Sequence, residues 1–163
     1  MSGRRNWVYD PRNDRWTQIA GMKYERILFA AVTGRDGRIY AMGGRNIANF
    51  PSRVEAYVEA YDPGTDTWTT VAPMATARAS LAAAVGPDGT IYAFGGDNHT
   101  STHLDTAEAY DRFTNTWRTI APMPTARRDL AAAASVVHGI DYIFAIGGHG
   151  FDFPLATVEV YTP

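Results

Sequence analysis

Three arginines carry the most pointed chemistry in this chain. Arg26, Arg78 and Arg127 each stand four residues after a methionine (Met22, Met74, Met123), at spacings of 52 and 49. A guanidinium is always charged and offers a planar fork of donors to a carboxylate or phosphate. The same group can instead bond neighbouring backbone carbonyls, so a ligand-binding and a structural reading stand side by side. Glu59, Glu108 and Glu159 recur as well. Their return at one place in every repeat points to structure and not to a paired-carboxylate site. His99 and His103, with Asp97 nearby, are nitrogen and oxygen ligand types. They lie in a polar Asn-Thr-Ser loop and not on one helix face, so no metal site is expected. No nucleophile-elbow pattern occurs. Without cysteine there are no disulfides, thiolate zinc sites or cysteine nucleophiles. No catalytic residue and no cofactor are therefore expected.

The elements that must hold these residues are repeated too. Trp16, Trp68 and Trp117 are spaced 52 and 49, and the pairs Gly43-Gly44, Gly95-Gly96 and Gly147-Gly148 are spaced 52 and 52. Before the glycines stand Ile39-Tyr40-Ala41-Met42, Ile91-Tyr92-Ala93-Phe94 and Ile143-Phe144-Ala145-Ile146. Before two of the tryptophans stand Glu59-Ala60-Tyr61-Asp62 and Glu108-Ala109-Tyr110-Asp111. Short apolar runs at 27–33, 79–85 and 130–137 each lead into a turn; two of the turns contain Asp-Gly, a strong hairpin signal because the turn needs positive φ. Alanine is a poor strand former, so its abundance in these runs needs a tertiary reason such as crowding. The double glycines fit close backbone packing and a sharp strand exit better than a phosphate cradle, since no helix start follows them. Val54-Glu55-Ala56-Tyr57 is echoed at once by Val58-Glu59-Ala60-Tyr61. A four-residue slip keeps the same faces inward, and proximity to Trp68 favours the second copy as the paired strand.

A period near 50 with a double glycine, then a tyrosine, then a tryptophan resembles the kelch repeat over nearly the whole chain. The resemblance implies an all-β fold, a kelch-type β-propeller with three four-stranded blades per chain. The Ala-rich runs then become innermost strand a, the Ile-Tyr-Ala segments strand b, the Glu-x-Tyr segments strand c and the Trp segments outer strand d. The expected division is 21–71, 72–120 and 121–163 for the blades, the last lacking its outer strand, with 1–20 supplying an unattached outer strand. Known propellers hold about four to eight blades, and six is the multiple of three in that range. A homodimer closing as a six-bladed ring is expected, each N-terminal strand d completing the partner copy's last blade. The rival is a fragment of a longer propeller. Trp7 replaces the recurring glutamate in the N-terminal copy, so that strand-c remnant is expected to yield its role to Val158–Tyr161.

In such a propeller one face carries the b–c loops and the d–a connections. The expected ligand-binding residues on it are Arg26, Arg78 and Arg127, with Arg45, Asn46, Asp97, Asn98 and His149 after the glycine pairs. Kelch domains that bind acidic peptides use arginines at the position matching Arg26, Arg78 and Arg127, so the resemblance implies an acidic peptide or small anion as ligand. Phe50, Phe151 and Phe153 lie in the same loops, where they either anchor a partner or cap blade ends. Copper oxidases on kelch-like propellers need a tyrosine–cysteine cross-link that this chain cannot make. A sugar-acid epimerase and a ligand-free scaffold remain as alternatives. The chain has 163 residues and a net charge of −2, with a pI near 6.0, which gives no sign of a nucleic-acid partner. No run approaches the roughly 18 apolar residues of a membrane span. No signal-like stretch follows Met1, so the cytoplasm is the default expectation.

Overall fold

The computed structural model describes residues 5–48 and 51–163, and every regular element among them is a strand. β1 (Asn6–Asp10) and β2 (Arg15–Ile19) form a two-stranded hairpin at the start. The first full blade runs β3 (Ala30–Thr33), β4 (Ile39–Met42), β7 (Val58–Asp62) and β8 (Thr67–Val71), side by side in that order. Between β4 and β7 a small ladder of β5 (Arg45–Asn46) and β6 (Arg53–Val54) stiffens the b–c loop. The second blade is β9 (Ala82–Val85), β10 (Ile91–Phe94), β11 (Ala107–Asp111) and β12 (Thr116–Thr119). The third has three strands, β13 (Ala131–Val137), β14 (Ile140–Ile146) and β15 (Val158–Tyr161). All pairings are antiparallel.

The duplicated Val-Glu-Ala-Tyr resolves in favour of its second copy. Tyr40 pairs with Ala60 and Ile39 with Tyr61 in β4–β7. The first copy becomes a connector: the Tyr57 carbonyl accepts from the Gly43 N–H at 2.9 Å, and the Ala56 carbonyl accepts from the Met74 N–H of the next repeat at 3.0 Å. Alanine in strand a also finds its reason. β9 packs between β3 and β13, and only a small side chain lets three inner strands lie that close.

Two apolar clusters fill the spaces between blades. Tyr40, Met42, Val58, Met74, Ile91 and Tyr110 join the first and second blades. Tyr92, Phe94, Ile120, Met123 and Ile143 join the second and third. Burial of each such side chain is worth roughly 1.5–3 kcal/mol, so a blade depends on its neighbours as much as on its own ladder. The far side of the third blade has no such cover: Val137, Ile140 and Ile146 are exposed there, as are Val158 and Val160 on β15.

Two polar contacts repeat between successive units. The second glycine of each pair donates to the arginine carbonyl of the next repeat, Gly44 to Arg78 and Gly96 to Arg127, both at 2.9 Å. The Trp68 indole N–H donates to the Ala20 carbonyl at 2.8 Å and the Trp117 indole N–H to the Ala72 carbonyl at 2.9 Å. The N–H groups of those alanines donate to Asp66 and Asn115. Asp66 and Asn115 hold positive φ in the c–d turns, a region that a short Asp or Asn side chain tolerates. Each also accepts from the strand-c tyrosine hydroxyl, Tyr61 or Tyr110.

The N-terminal segment of the chain by itself pairs as a hairpin. Asn6–Asp10 keeps the strand-c role toward β2, with Tyr9 opposite Trp16 in the arrangement of Tyr61 opposite Trp68. In a single chain, β2 satisfies its ladder with the nearest strand able to pair, and a short turn at Asp14 brings β1 to it.

Candidate functional site

The repeated arginines lie inside the blades. The Arg78 and Arg127 side chains have no exposed surface and that of Arg26 has none either. Each folds back into its own blade and meets the recurring glutamate: Arg26 Nη2 lies 3.2 Å from Glu59 and Arg78 Nη2 lies 3.4 Å from Glu108, while Arg127 pairs with Glu159. Other donors go to carbonyls, while Arg26 Nε and Arg78 Nε are buried without a hydrogen-bond partner among the described residues. Arg26 donates to Ala41 at 3.0 Å, Arg78 to Thr106 at 2.7 Å, and Arg127 to Gly147 at 3.0 Å and Thr157 at 3.2 Å. The glutamates in turn accept backbone N–H bonds, from Lys23 to Glu59 and from Ala75 and Thr76 to Glu108. Burial pulls the Arg78 guanidinium down to about 10 while Glu108 holds it up, so it stays charged at neutral pH. Burial also lowers Arg26, against the pull of Glu59. A ligand would have to displace a buried carboxylate to reach any of the three, which favours the structural reading of these residues. They do not form an arginine-lined opening.

Around them the b–c loops and d–a connections do share one face. The residue after each arginine bridges to the residue after each glycine pair: Ile27 to Arg45, Ala79 to Asp97 and Arg128 to His149. The expected residues Arg45, Asp97 and His149 are therefore brought into one row. Asp97, nearly buried, ties the blades together, with Arg45 Nη2 at 2.7 Å and Arg128 Nη1 at 3.7 Å. Asn46 and Asn98 spend their side-chain oxygens inside their own loops, on the N–H of Ala48 and on the N–H groups of Thr100 and Ser101. His99 Nε2 accepts from the Val54 N–H at 3.0 Å, which holds the two b–c loops together. Phe151 and Phe153 stand out from the surface at 67% and 74% exposure, and Phe50 lies outside the described residues.

Sequence reasoning weighed His103 only as a metal ligand and left Arg128 out, so it missed the corner they form. His103 is buried, with its ring 5.8 Å from His149 and 4.7 Å from Phe151. Its Nδ1 lies 3.0 Å from the Thr102 hydroxyl, and its Nε2 has no hydrogen-bond partner. Arg128 lies alongside; its Nε is buried without a hydrogen bond, and its carboxylate neighbours Asp97 and Asp129 stand at 3.7 and 3.6 Å. A usable signal existed in the repeat itself. Position 128 carries arginine where the other repeats have Ile27 and Ala79.

The His103 ring is held below its ordinary value, first by burial and then by the charges of Arg128 and His149, against the opposing pull of Asp97 and Asp129. An unfolded chain therefore takes up a proton near pH 6.5 that the folded chain resists, and stability falls as pH drops below that value. Denaturant titrations at about pH 7.5 and about pH 5.5 should show this loss, and it should shrink in His103→Gln. An unchanged pH slope in the variant would assign the acid sensitivity elsewhere.

On the opposite face, between the first two blades, lies an open cleft of about 720 Å³ lined by Asp36, Arg38, Tyr40, Asp62, Tyr110 and Arg112. Its charges are balanced, with Arg38 near Asp62 at 3.8 Å and Arg112 near Asp36 at 4.0 Å. The Tyr40 hydroxyl donates to Asp36 at 2.8 Å, and burial raises its proton affinity.

Radial antiparallel blades with an irregular loop face at one end define a β-propeller interaction scaffold. The kelch motif matches residues 26–75 and 78–124, and the chain belongs to the kelch-repeat family. It is 39% identical over 96 residues to Kelch-like ECH-associated protein 1A of Danio rerio, covering 59% of this chain and 16% of that protein. It is 36% identical over 104 residues to Kelch-like protein 25 of Rattus norvegicus, covering 61% and 17%. With Kelch-like protein 40 of Mus musculus it shares 37% identity over 89 residues, covering 55% and 13%. The matches thus span between about an eighth and a sixth of the length of these relatives.

Proposed function

We propose that this chain is a binding module that takes an acidic peptide carrying an apolar residue on its b–c loop face, within a six-bladed ring completed by a second copy. The observation that carries the ligand reading is the corner where His103 Nε2, buried without a hydrogen bond, and the part-exposed Arg128, whose Nε meets Asp129 only at 3.6 Å, stand beside the exposed Phe151. A buried donor without a partner costs roughly 1–3 kcal/mol, and a ligand carboxylate would relieve that cost. Phe151 and Phe153 supply the apolar anchor that small interfaces depend on. The ring reading is supported by the uncovered apolar flank of the third blade. Among the relatives, one is named as ECH-associated, which is consistent with a binding role.

A sugar-acid epimerase would need acid–base groups facing an opening, and the recurring glutamates are engaged with arginines inside the blades. No other observation favours that reading.

The test is fluorescence anisotropy with a labelled peptide of about eight residues, rich in Asp and Glu with one central leucine. Arg128→Ala should weaken binding roughly tenfold, the value of one charge-assisted hydrogen bond. Its stability should change by no more than about 1 kcal/mol, the value of a partly exposed ion pair. Equal affinity of the variant and the parent would remove Arg128 from the site. Light scattering tests the ring separately, through a mass of twice 17.9 kDa.

A further inference from the structure

The cleft between the first two blades has balanced charge but unbalanced hydrogen bonding. Its carboxylates are spent on their own turns. Asp36 accepts from the Arg38 N–H at 3.2 Å on one oxygen and from the Tyr40 hydroxyl at 2.8 Å on the other. Asp62 accepts from the Gly64 N–H at 2.8 Å. The arginines are not spent. Arg38 and Arg112 approach these carboxylates only to 3.8 and 4.0 Å, beyond hydrogen-bond reach. Neither guanidinium makes a hydrogen bond among the described residues, and Arg112 Nε is buried in that state. The Arg112 guanidinium lies over the Phe113 ring at 4.0 Å, a contact that fixes its plane and leaves its Nη donors unspent.

Neither arginine belongs to the repeat. The place of Arg38 is taken in the second blade by Thr90, whose hydroxyl donates to Asp88 at 2.6 Å and closes the turn on itself. The place of Arg112 is taken by Pro63 in the first blade and by Pro11 before it. The turns form without these two side chains, yet the two departures meet in one cleft. Arg35 stands where the second blade has Pro87. It flanks Gly89 together with Arg112: a Cβ on that glycine would lie 3.5 Å from Arg35 Cδ and 3.8 Å from Arg112 Nε. Asp88 and Asp111, beyond Arg112, serve the N–H groups of Thr90 and Phe113 and hydrogen-bond no arginine among the described residues.

At about 720 Å³ the cleft has the size of a small-molecule site. Its residues hold more unspent donors than acceptors, and the donors come from two different blades. We propose that the cleft binds a small organic anion with a carboxylate at each end, one in the fork of Arg38 and the other in that of Arg112. Tyr40 and Tyr110, with ring centroids 5.9 Å apart, line it and donate their hydroxyls to Asp36 and Asn115, so recognition falls to the arginines. The site lies on the face away from the b–c loops and is independent of the acidic-peptide reading.

Calorimetric titration at constant ionic strength tests this with citrate, and with acetate as the single-carboxylate probe. Citrate should bind roughly tenfold more tightly than acetate, because its second carboxylate engages within one molecule. Arg38→Thr and Arg112→Pro each install the residue that another blade carries at the same place, so the turns are kept. Arg112→Gln keeps the aliphatic stem as well. Each of the three should weaken citrate roughly tenfold, toward the acetate value. Arg128→Ala, on the other face, should bind citrate as the unmodified chain does. Citrate no tighter than acetate, or undiminished in all three variants, overturns the site. Loss at only one of the two arginines overturns the bridging. Loss in Arg128→Ala alone would put the anion on the b–c loop face and overturn the cleft.

Discussion

Replacing Arg78 with alanine is expected to cost about 3–5 kcal/mol of folding stability, the loss typical of breaking a buried ion pair from one side. The side chain has no exposed surface. Its removal strands Glu108 in the interior and takes a donor from the Thr106 and Ala93 carbonyls, which it bonds at 2.7 and 3.3 Å. Glu108 also caps the N–H groups of Ala75 and Thr76, so the pair organises the approach to strand a and the exit from strand b together. A double replacement, Arg78→Met with Glu108→Leu, separates the contributions. If the ion pair alone mattered, the apolar pair would recover most of the loss, since such replacements elsewhere are often neutral. Recovery should instead be small, because the Ala75 and Thr76 N–H groups that Glu108 caps lose their acceptor in the apolar pair. Urea titration of the three proteins gives the answer. A loss below about 1 kcal/mol in Arg78→Ala would return this arginine to the ligand-binding reading.

Gly95→Ala should be nearly as damaging, for a different reason. Gly95 has φ +62°, and a Cβ there would press into the Arg127 carbonyl oxygen, with Met123 Cε at 3.0 Å and Leu130 Cδ2 at 3.2 Å. That carbonyl belongs to the next blade and already accepts from Gly96, so it cannot retreat without loosening the junction. The left-handed conformation costs an alanine about 1–2 kcal/mol, and overpacking typically adds about 1–3 kcal/mol. A total of about 2–5 kcal/mol is expected from these two contributions. Gly139→Ala provides the contrast: its φ is +78° but nothing lies within reach of the added methyl, so only the conformational cost should remain. Thermal melts of the two variants should differ clearly. Equal losses would show that the strain in Gly95→Ala is purely local and that the blades are not in rigid contact at this point.

The sequence by itself determined the repeat and, through it, the strands. Tryptophan, glycine pairs and Met-x-x-x-Arg at a common period can recur only if each repeat builds the same unit. Alternation and Asp-Gly turns then placed a, b, c and d, including the second Val-Glu-Ala-Tyr copy as β7. The recurrence of the glutamates was legible as structure, but their partner was not. Arg26 and Glu59 are separated by a whole hairpin, and only the folded blade brings a strand-a entry over strand c. The same limit explains the arginines. Their spacing marks them as equivalent but carries no information on whether a side chain points outward or back into its own sheet. That direction is set by packing around strands b and c, where burial, carbonyls and carboxylate combine. His103 and Arg128 became a candidate site only when the loops of neighbouring blades folded together, for their proximity depends on how three sheets are stacked. Period and alternation are local properties of a chain. The pairing of charges and the coming together of loops are properties of its packing, and those the tertiary structure alone decided.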